Sequence, residues 1–218
     1  MSTGLTLDGK AGQAVVTASF PDSPGDLHQI DLATGASKRL SNHNDSYMEA
    51  HPTARMEKFS IERPGGASGF EIECRLYFPP GFDASLVYPL VLDIHGGPNG
   101  AFYDSFNALQ QVLATAGYLV LAVNPRGSST YGDDFMKAVL QDWGGEDYLD
   151  LMAAVDLVVD RPYVDSNRLG IHGYSYGGFM TSWTVGHNQH FQAAVAGAPC
   201  TDLFSMYGTS DIGISFGE

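Results

Sequence analysis

The stretch RLGIHGYSYGGFMTSWTVGH, residues 168–187, constrains the fold more than any other part of the chain. Ser175 lies at the centre of a Gly-x-Ser-x-Gly pattern, with a third glycine, Gly178, behind it. Ahead of the serine, RLGIHG is a short apolar run of the buried-strand kind, bounded on its left by the turn-like VDSN. Behind it, GGFMTSWTVGH can begin a helix, with Phe179, Met180, Trp183 and Val185 available for a core. Strand, glycine-flanked serine and helix form the context in which a nucleophilic serine is lifted on a sharp turn. That turn forces unfavourable backbone angles on the serine, and side chains two positions to either side would collide. Gly173 and Gly177 remove those collisions, and Gly178 lets the helix pack close to a sheet. The five-residue pattern alone is common by chance; the flanks give it meaning.

The surrounding text supplies the sheet. From residue 88 on, YPLVLDI, YLVLAV, RLGIHG and QAAVAGAP read as buried strands, and three helical segments alternate with them. DSFNALQQVLATAG places Phe106, Leu109, Val112, Leu113 and Ala116 near one face. EDYLDLMAAVDLVVD does the same with Tyr148, Leu151, Met152, Val155 and Val159, so Asp147 and Asp150 are expected to face water. Strands alternating with helices predict an α/β fold with a parallel sheet covered on both faces. Up to about residue 50 the texture differs: AVVTASF, PDSPGD, LHQIDL, ATGAS and KRLSN read as a β-meander with polar and glycine turns. EKFSIE and EIECRLYFPP, separated by RPGGASG, read as an antiparallel pair. There is no internal repeat and no low-complexity tract.

Charge narrows the partners. The 218 residues carry 11 basic and 25 acidic side chains, a net charge of −14, with the acidic residues scattered rather than blocked. Such a surface argues against nucleic acid or an anionic membrane as a partner. No N-terminal signal-like stretch and no bilayer-length apolar run is read. Cys74 and Cys200 are isolated and lie in segments expected to be buried, so they read as free thiols of a reducing compartment, which predicts a cytoplasmic location. His187 and His190 stand three apart without a third ligand in view, and no metal or cofactor is expected.

The strand LVLDI ends in HGGP, residues 95–98. In a parallel sheet the loops at the carboxyl ends of the strands build the site. Two glycines leave backbone N–H groups uncovered, able to point at a developing oxyanion. Together HGGP and GYSYGG supply two halves of one acyl-transfer machine. LVLDIHGGP, NPRGSSTYG at 124–132, WGGEDYLDLMAAVDLV and NRLGIHGYSYGGFM then resemble, in order and spacing, the catalytic domain of the prolyl oligopeptidase family of serine peptidases. The acylaminoacyl-peptidase and dipeptidyl-peptidase-like branch is the nearest in flavour. The resemblance implies an α/β-hydrolase domain over residues 55–218, preceded over residues 1–54 by the last strands of a β-propeller that restricts access to short peptides. It implies Ser175 as nucleophile, the N–H groups of Tyr176 and Gly97 as the oxyanion hole, and Arg126 as a residue that ties down the loops.

The family's aspartate and histidine follow the serine by roughly eighty and over a hundred residues, whereas 43 residues follow Ser175 here. His187 and His190 should point away from the serine, His172 should be a strand residue, and Asp202 and Asp211 come too early for the family's acid. His95 precedes the serine and is expected to shape the oxyanion loop. The chain therefore reads as part of an enzyme, an α/β-hydrolase without its C-terminal strands, expected to be inactive alone and to need the missing C-terminal segment or to self-associate. The reading is a peptidase for short peptides or acylated amino acids. An esterase and a non-catalytic binding or assembly remnant remain open.

Overall fold

The computed structural model describes residues 2–65 and 69–213. Short runs separated by turn formers fold into β1 (Ser2–Asp8), β2 (Gln13–Phe20), β3 (Ser23–Asp31) and β4 (Ser37–Arg39), an antiparallel sheet in chain order. The reversal after β3 is fixed by Asp31, whose Oδ1 accepts from the amides of Ala33 and Thr34 and from the Thr34 hydroxyl. PDSPGD is mostly strand rather than turn, because β3 already begins at Ser23. A short helix, α1 (Asp45–Ala50), stands where the sequence reads only strands and turns.

The chain continues through β5 (Arg55–Arg63), β6 (Phe70–Phe78), β7 (Tyr88–Ile94), α2 (Ala108–Thr115), β8 (Leu119–Asn124), α3 (Asp133–Lys137), α4 (Glu146–Val159), β9 (Val164–Tyr174), α5 (Tyr176–His187), β10 (Ala193–Gly197) and α6 (Leu203–Thr209). These strands form one sheet in the order β10-β9-β7-β8-β6-β5, with β10, β9, β7 and β8 parallel. From β7 the sheet grows to one side through β8 and to the other through β9 and β10. The loops leaving β7 and β9 therefore diverge at the carboxyl ends of these two strands, the place where open α/β sheets bind ligands. The described residues of Met1–Glu57, Tyr77–Phe82 and Phe102–Tyr118 form one compact unit, and those of Lys58–Leu76, Asp83–Ala101 and Leu119–Glu218 the other. In the second unit the core is Leu90, Leu92 and Ile94 of β7, Leu119–Val123 of β8, and Leu151, Ala154, Val155 and Val158 of α4. No helix among the described residues is long and apolar enough to cross a membrane.

Three expectations about faces are corrected. On α4 the buried side chains are Asp147, Asp150, Leu151, Ala154, Val155 and Val158, so both aspartates lie inside rather than in water. Each is held by hydrogen bonds that replace its hydration, as described below. On α2 the buried face is Gln110, Gln111 and Ala114, while Val112 is 63% exposed. Gln111 bonds the peptide groups of Ala54 and Pro21, and these amide partners set the rotation of the helix. The run QAAVAGAP forms β10 as expected but is not buried, with Val195 62% exposed. It lies at the end of the sheet order, with β9 as its neighbour. Cys74 is buried and Cys200 half-buried, and both thiols are free.

Helix α5 enters close to the sheet because its first turn lacks side chains. A Cβ on Gly177 would stand 2.2 Å from the Ile94 carbonyl oxygen, and one on Gly178 would stand 2.3 Å from that of Gly197. Gly186, near the far end of the same helix, faces open space. Gly178→Ala should lower the melting temperature, since forcing a methyl into a packed backbone costs about 1–3 kcal/mol. Gly186→Ala should be neutral or stabilising by up to about 1 kcal/mol, the helix-propensity gain. Equal melting temperatures for the two variants would contradict the close approach.

Candidate active site

Ser175 joins β9 to α5 with φ 61° and ψ −118°, a left-handed backbone conformation that side chains rarely adopt. Strain of this kind, of order 1–3 kcal/mol, persists only where the surroundings enforce it. Here the Ser175 amide donates to the Gly197 carbonyl at 2.9 Å and the Phe179 amide donates to the Ser175 carbonyl at 2.9 Å. Gly173 sits where a Cβ would come 2.3 Å from the Gly177 carbonyl oxygen, so the turn closes on itself as the glycine pattern requires. Among the described residues the Ser175 hydroxyl makes no hydrogen bond.

The HGGP loop lies at the same end of the sheet. A Cβ built on Gly96 would stand 3.5 Å from the Ser175 Cβ, which places the backbone leaving β7 directly against the serine. Gly97 follows with φ 134°, where a Cβ would meet the Gly100 nitrogen at 2.3 Å, so no other residue fits. Gly97 and Tyr176 thus belong to the two backbone segments that meet at Ser175.

This loop is stitched to the NPRGS loop after β8. Asn99 Nδ2 donates to the Gly127 carbonyl at 3.0 Å, and the Ser129 amide donates to the Gly100 carbonyl at 3.0 Å. His95 bridges the two, with Nδ1 2.8 Å from the Gly96 carbonyl and Nε2 2.9 Å from Ser128 Oγ. Burial holds the His95 pKa below its ordinary value, which favours neutral imidazole. A carbonyl can only accept, so a proton sits on Nδ1, and Nε2 competes with the Pro125 carbonyl, 2.7 Å from Ser128 Oγ, for the single hydroxyl hydrogen. His95 thereby ties the HGGP loop to the NPRGS loop.

Arg126 anchors the NPRGS loop in turn. Its Nε and Nη2 donate to Asp150 Oδ2 and Oδ1, both at 2.8 Å, and its amide donates to Oδ2 at 3.1 Å. Nη2 also donates to the Pro64 carbonyl at 2.9 Å. The fork-on-carboxylate hydrogen bond to Asp150 raises the Arg126 pKa further. Three residues earlier on α4, Asp147 Oδ2 accepts from the Tyr176 hydroxyl at 2.5 Å. Its Oδ1 accepts from the amides of Gly144 at 2.9 Å and Tyr148 at 2.8 Å. Burial outweighs these donors and pushes the Asp147 pKa up to about 6. The Tyr176 ring is buried, with the edge of Trp143 5.0 Å away.

The other candidates engage other groups or lie exposed. His172 is a β9 residue whose Nδ1 lies 3.2 Å from Asp93 Oδ1, and this hydrogen bond raises its pKa. His187 ends α5, stacked on Trp183 at 4.0 Å with Nδ1 2.7 Å from the Trp183 carbonyl. His190 is exposed beyond it, Asp202 caps α6 by accepting from the Ser205 amide at 2.9 Å, and Asp211 is exposed in the following turn. Asp147, Asp150 and Ser128 were not foreseen as parts of the site. A signal for the first two was available: 147, 150, 151, 154, 155 and 158 share one helical phase, so the apolar stripe of α4 runs straight through both aspartates.

Comparison with known proteins agrees with this geometry. The profile of the prolyl oligopeptidase family matches residues 104–218. The uncharacterized peptidase YuxL of Bacillus subtilis is 39% identical over 93% of this chain and 30% of its own length. Dipeptidyl-peptidase 5 of Porphyromonas gingivalis is 30% identical over 86% of this chain and 28% of its own length. A solved acylaminoacyl peptidase, in complex with Z-Gly-Gly-Phe-chloromethyl ketone, superposes with a TM-score of 0.90 at 27% identity, over 99% of this chain and 33% of that one. The chain thus spans about a third of the length of these proteins. With the strained serine, its glycines and the adjoining HGGP loop in place, and the family profile over half its length, the chain belongs to the prolyl oligopeptidase family of serine peptidases.

Proposed function

We propose that these residues form the nucleophile and oxyanion half of a peptidase acting on short peptides or acylated amino acids. The observation that carries the reading is the close approach of the HGGP loop to a strained Ser175 at the carboxyl end of the parallel strands. Ser175 Oγ attacks the substrate carbonyl carbon while a general base takes its proton. The carbonyl oxygen becomes an oxyanion that accepts hydrogen bonds from the Gly97 and Tyr176 amides. The C–N bond then breaks, the amine leaves with the proton from the base, and water releases the acyl group by the reverse sequence.

We assign neither the general base nor its carboxylate partner to the residues described here, and His190 is exposed beyond α5. In the unit that holds Ser175, His95, His172 and His187 are engaged with the Gly96 carbonyl and Ser128, Asp93, and Trp183 respectively. The same reading assigns β1–β4 to the end of a β-propeller and the exposed side of β10 and α6 to contact with further sheet. Phe204, 93% exposed, supports that assignment.

Labelling of the full-length protein with a fluorophosphonate, alongside hydrolysis of acyl-amino and dipeptidyl chromogenic substrates, tests the reading. Ser175→Ala should abolish labelling and lower kcat by about a millionfold, as loss of such a nucleophile does elsewhere. Labelling that persists in Ser175→Ala would contradict it. A wild-type protein that neither labels nor turns over substrate would favour the non-catalytic alternative, and turnover of esters but not amides would favour an esterase.

A further inference from the structure

We infer that Asp147 is a positioning residue for the reaction: through the Tyr176 hydroxyl it fixes the residue that follows the nucleophile, and so the direction of the amide that meets the oxyanion. The inference rests on the acyl-transfer reading above. Tyr176 is the first residue of α5 and follows a serine held at φ 61°. Its amide direction depends on the same peptide unit that carries the strain. Relaxation of Ser175 would swing the Tyr176 amide away from the oxyanion, unless something holds the Tyr176 side chain.

The structure holds it at both ends. The ring is buried against Trp143, and the hydroxyl donates to Asp147 at 2.5 Å. A buried tyrosine hydroxyl needs a partner, and a charged acceptor is a strong one. Asp147 cannot touch substrate, because it is fully buried and both its oxygens are engaged. The amides of Gly144 and Tyr148 hold the other carboxylate oxygen at the start of α4, so the carboxylate is itself immobile. The chain of contacts runs from the rigid turn before α4, through one carboxylate and one phenol, to the backbone beside the nucleophile.

A double-mutant cycle on the full-length protein separates this role from simple stabilisation. Tyr176→Phe removes the hydroxyl and keeps the ring. Asp147→Asn presents an N–H where the phenol needs an acceptor, if the remaining oxygen continues to serve the two amides. Each variant should lower kcat about tenfold with KM within about twofold. The double variant should lower kcat by about tenfold as well, since the second change breaks a link already broken. The rate of fluorophosphonate labelling should fall in parallel, with melting temperature recorded on the same samples. Additive losses approaching a hundredfold, or a lower melting temperature with unchanged kcat, would overturn the inference. If Asp147→Asn fails to fold, Tyr176→Phe alone decides, since an unchanged kcat in that variant also overturns it. Ser175→Ala keeps the two readings distinct: if it retains activity the acyl-transfer reading fails, whereas if it is dead and the cycle is additive only the positioning role fails.

Discussion

Asp150 and Asp147 stand one helical turn apart on α4, both fully buried, where a carboxylate is tolerated only with partners. Asp150 takes the guanidinium of Arg126 in a two-point grip, and Asp147 takes the Tyr176 phenol and two amides. Removing one partner of a buried ion pair costs about 3–5 kcal/mol, because the survivor is left charged and unhydrated. The penalty makes the partners' positions nearly obligatory. Through Arg126 the grip extends to the NPRGS loop, and through Asn99, Ser129 and His95 to the HGGP loop. Through Tyr176 it reaches the turn at Ser175. One face of one helix therefore references both backbone segments that meet at Ser175.

The sheet supplies the other reference. The loops after β7 and β9 diverge at the point where the sheet changes its direction of growth. Gly177 and Gly178 bring the start of α5 against the carbonyls of Ile94 and Gly197, and a methyl at either position would lift the helix away. The Gly197 carbonyl also accepts the Ser175 amide, so the end of β10 helps to hold the strained turn. Strain at the serine is thus maintained by backbone packing on one side and by the α4 carboxylates on the other.

Much of this was readable in the sequence, and the failures are instructive. The elbow was legible because glycines at fixed offsets have a steric cause that does not depend on distant residues. The parallel sheet was legible because continuous apolar runs alternated with helical ones. The buried face of α4 was misjudged by taking aspartate as a marker of solvent. Its partners, Arg126 and Tyr176, are 24 and 29 residues from the aspartates they meet, and no local pattern announces a pairing over that distance. The face of α2 was misjudged for a related reason, since Gln111 is buried by hydrogen bonds to Pro21 and Ala54 rather than by apolar contact. Polar burial depends on tertiary partners, whereas apolar periodicity is local. The Ser128–His95 bridge belongs to the same class of long-range polar contact.

The central claim is that the amides of Gly97 and Tyr176 converge above the Ser175 hydroxyl. A crystal structure of the full-length protein phosphonylated at Ser175 addresses it directly, because the phosphoryl oxygen occupies the place of the oxyanion. That oxygen should lie about 2.7–3.1 Å from both amide nitrogens, the spacing at which such donors act. An oxygen turned to solvent, or held by one of the two amides alone, would contradict the claim.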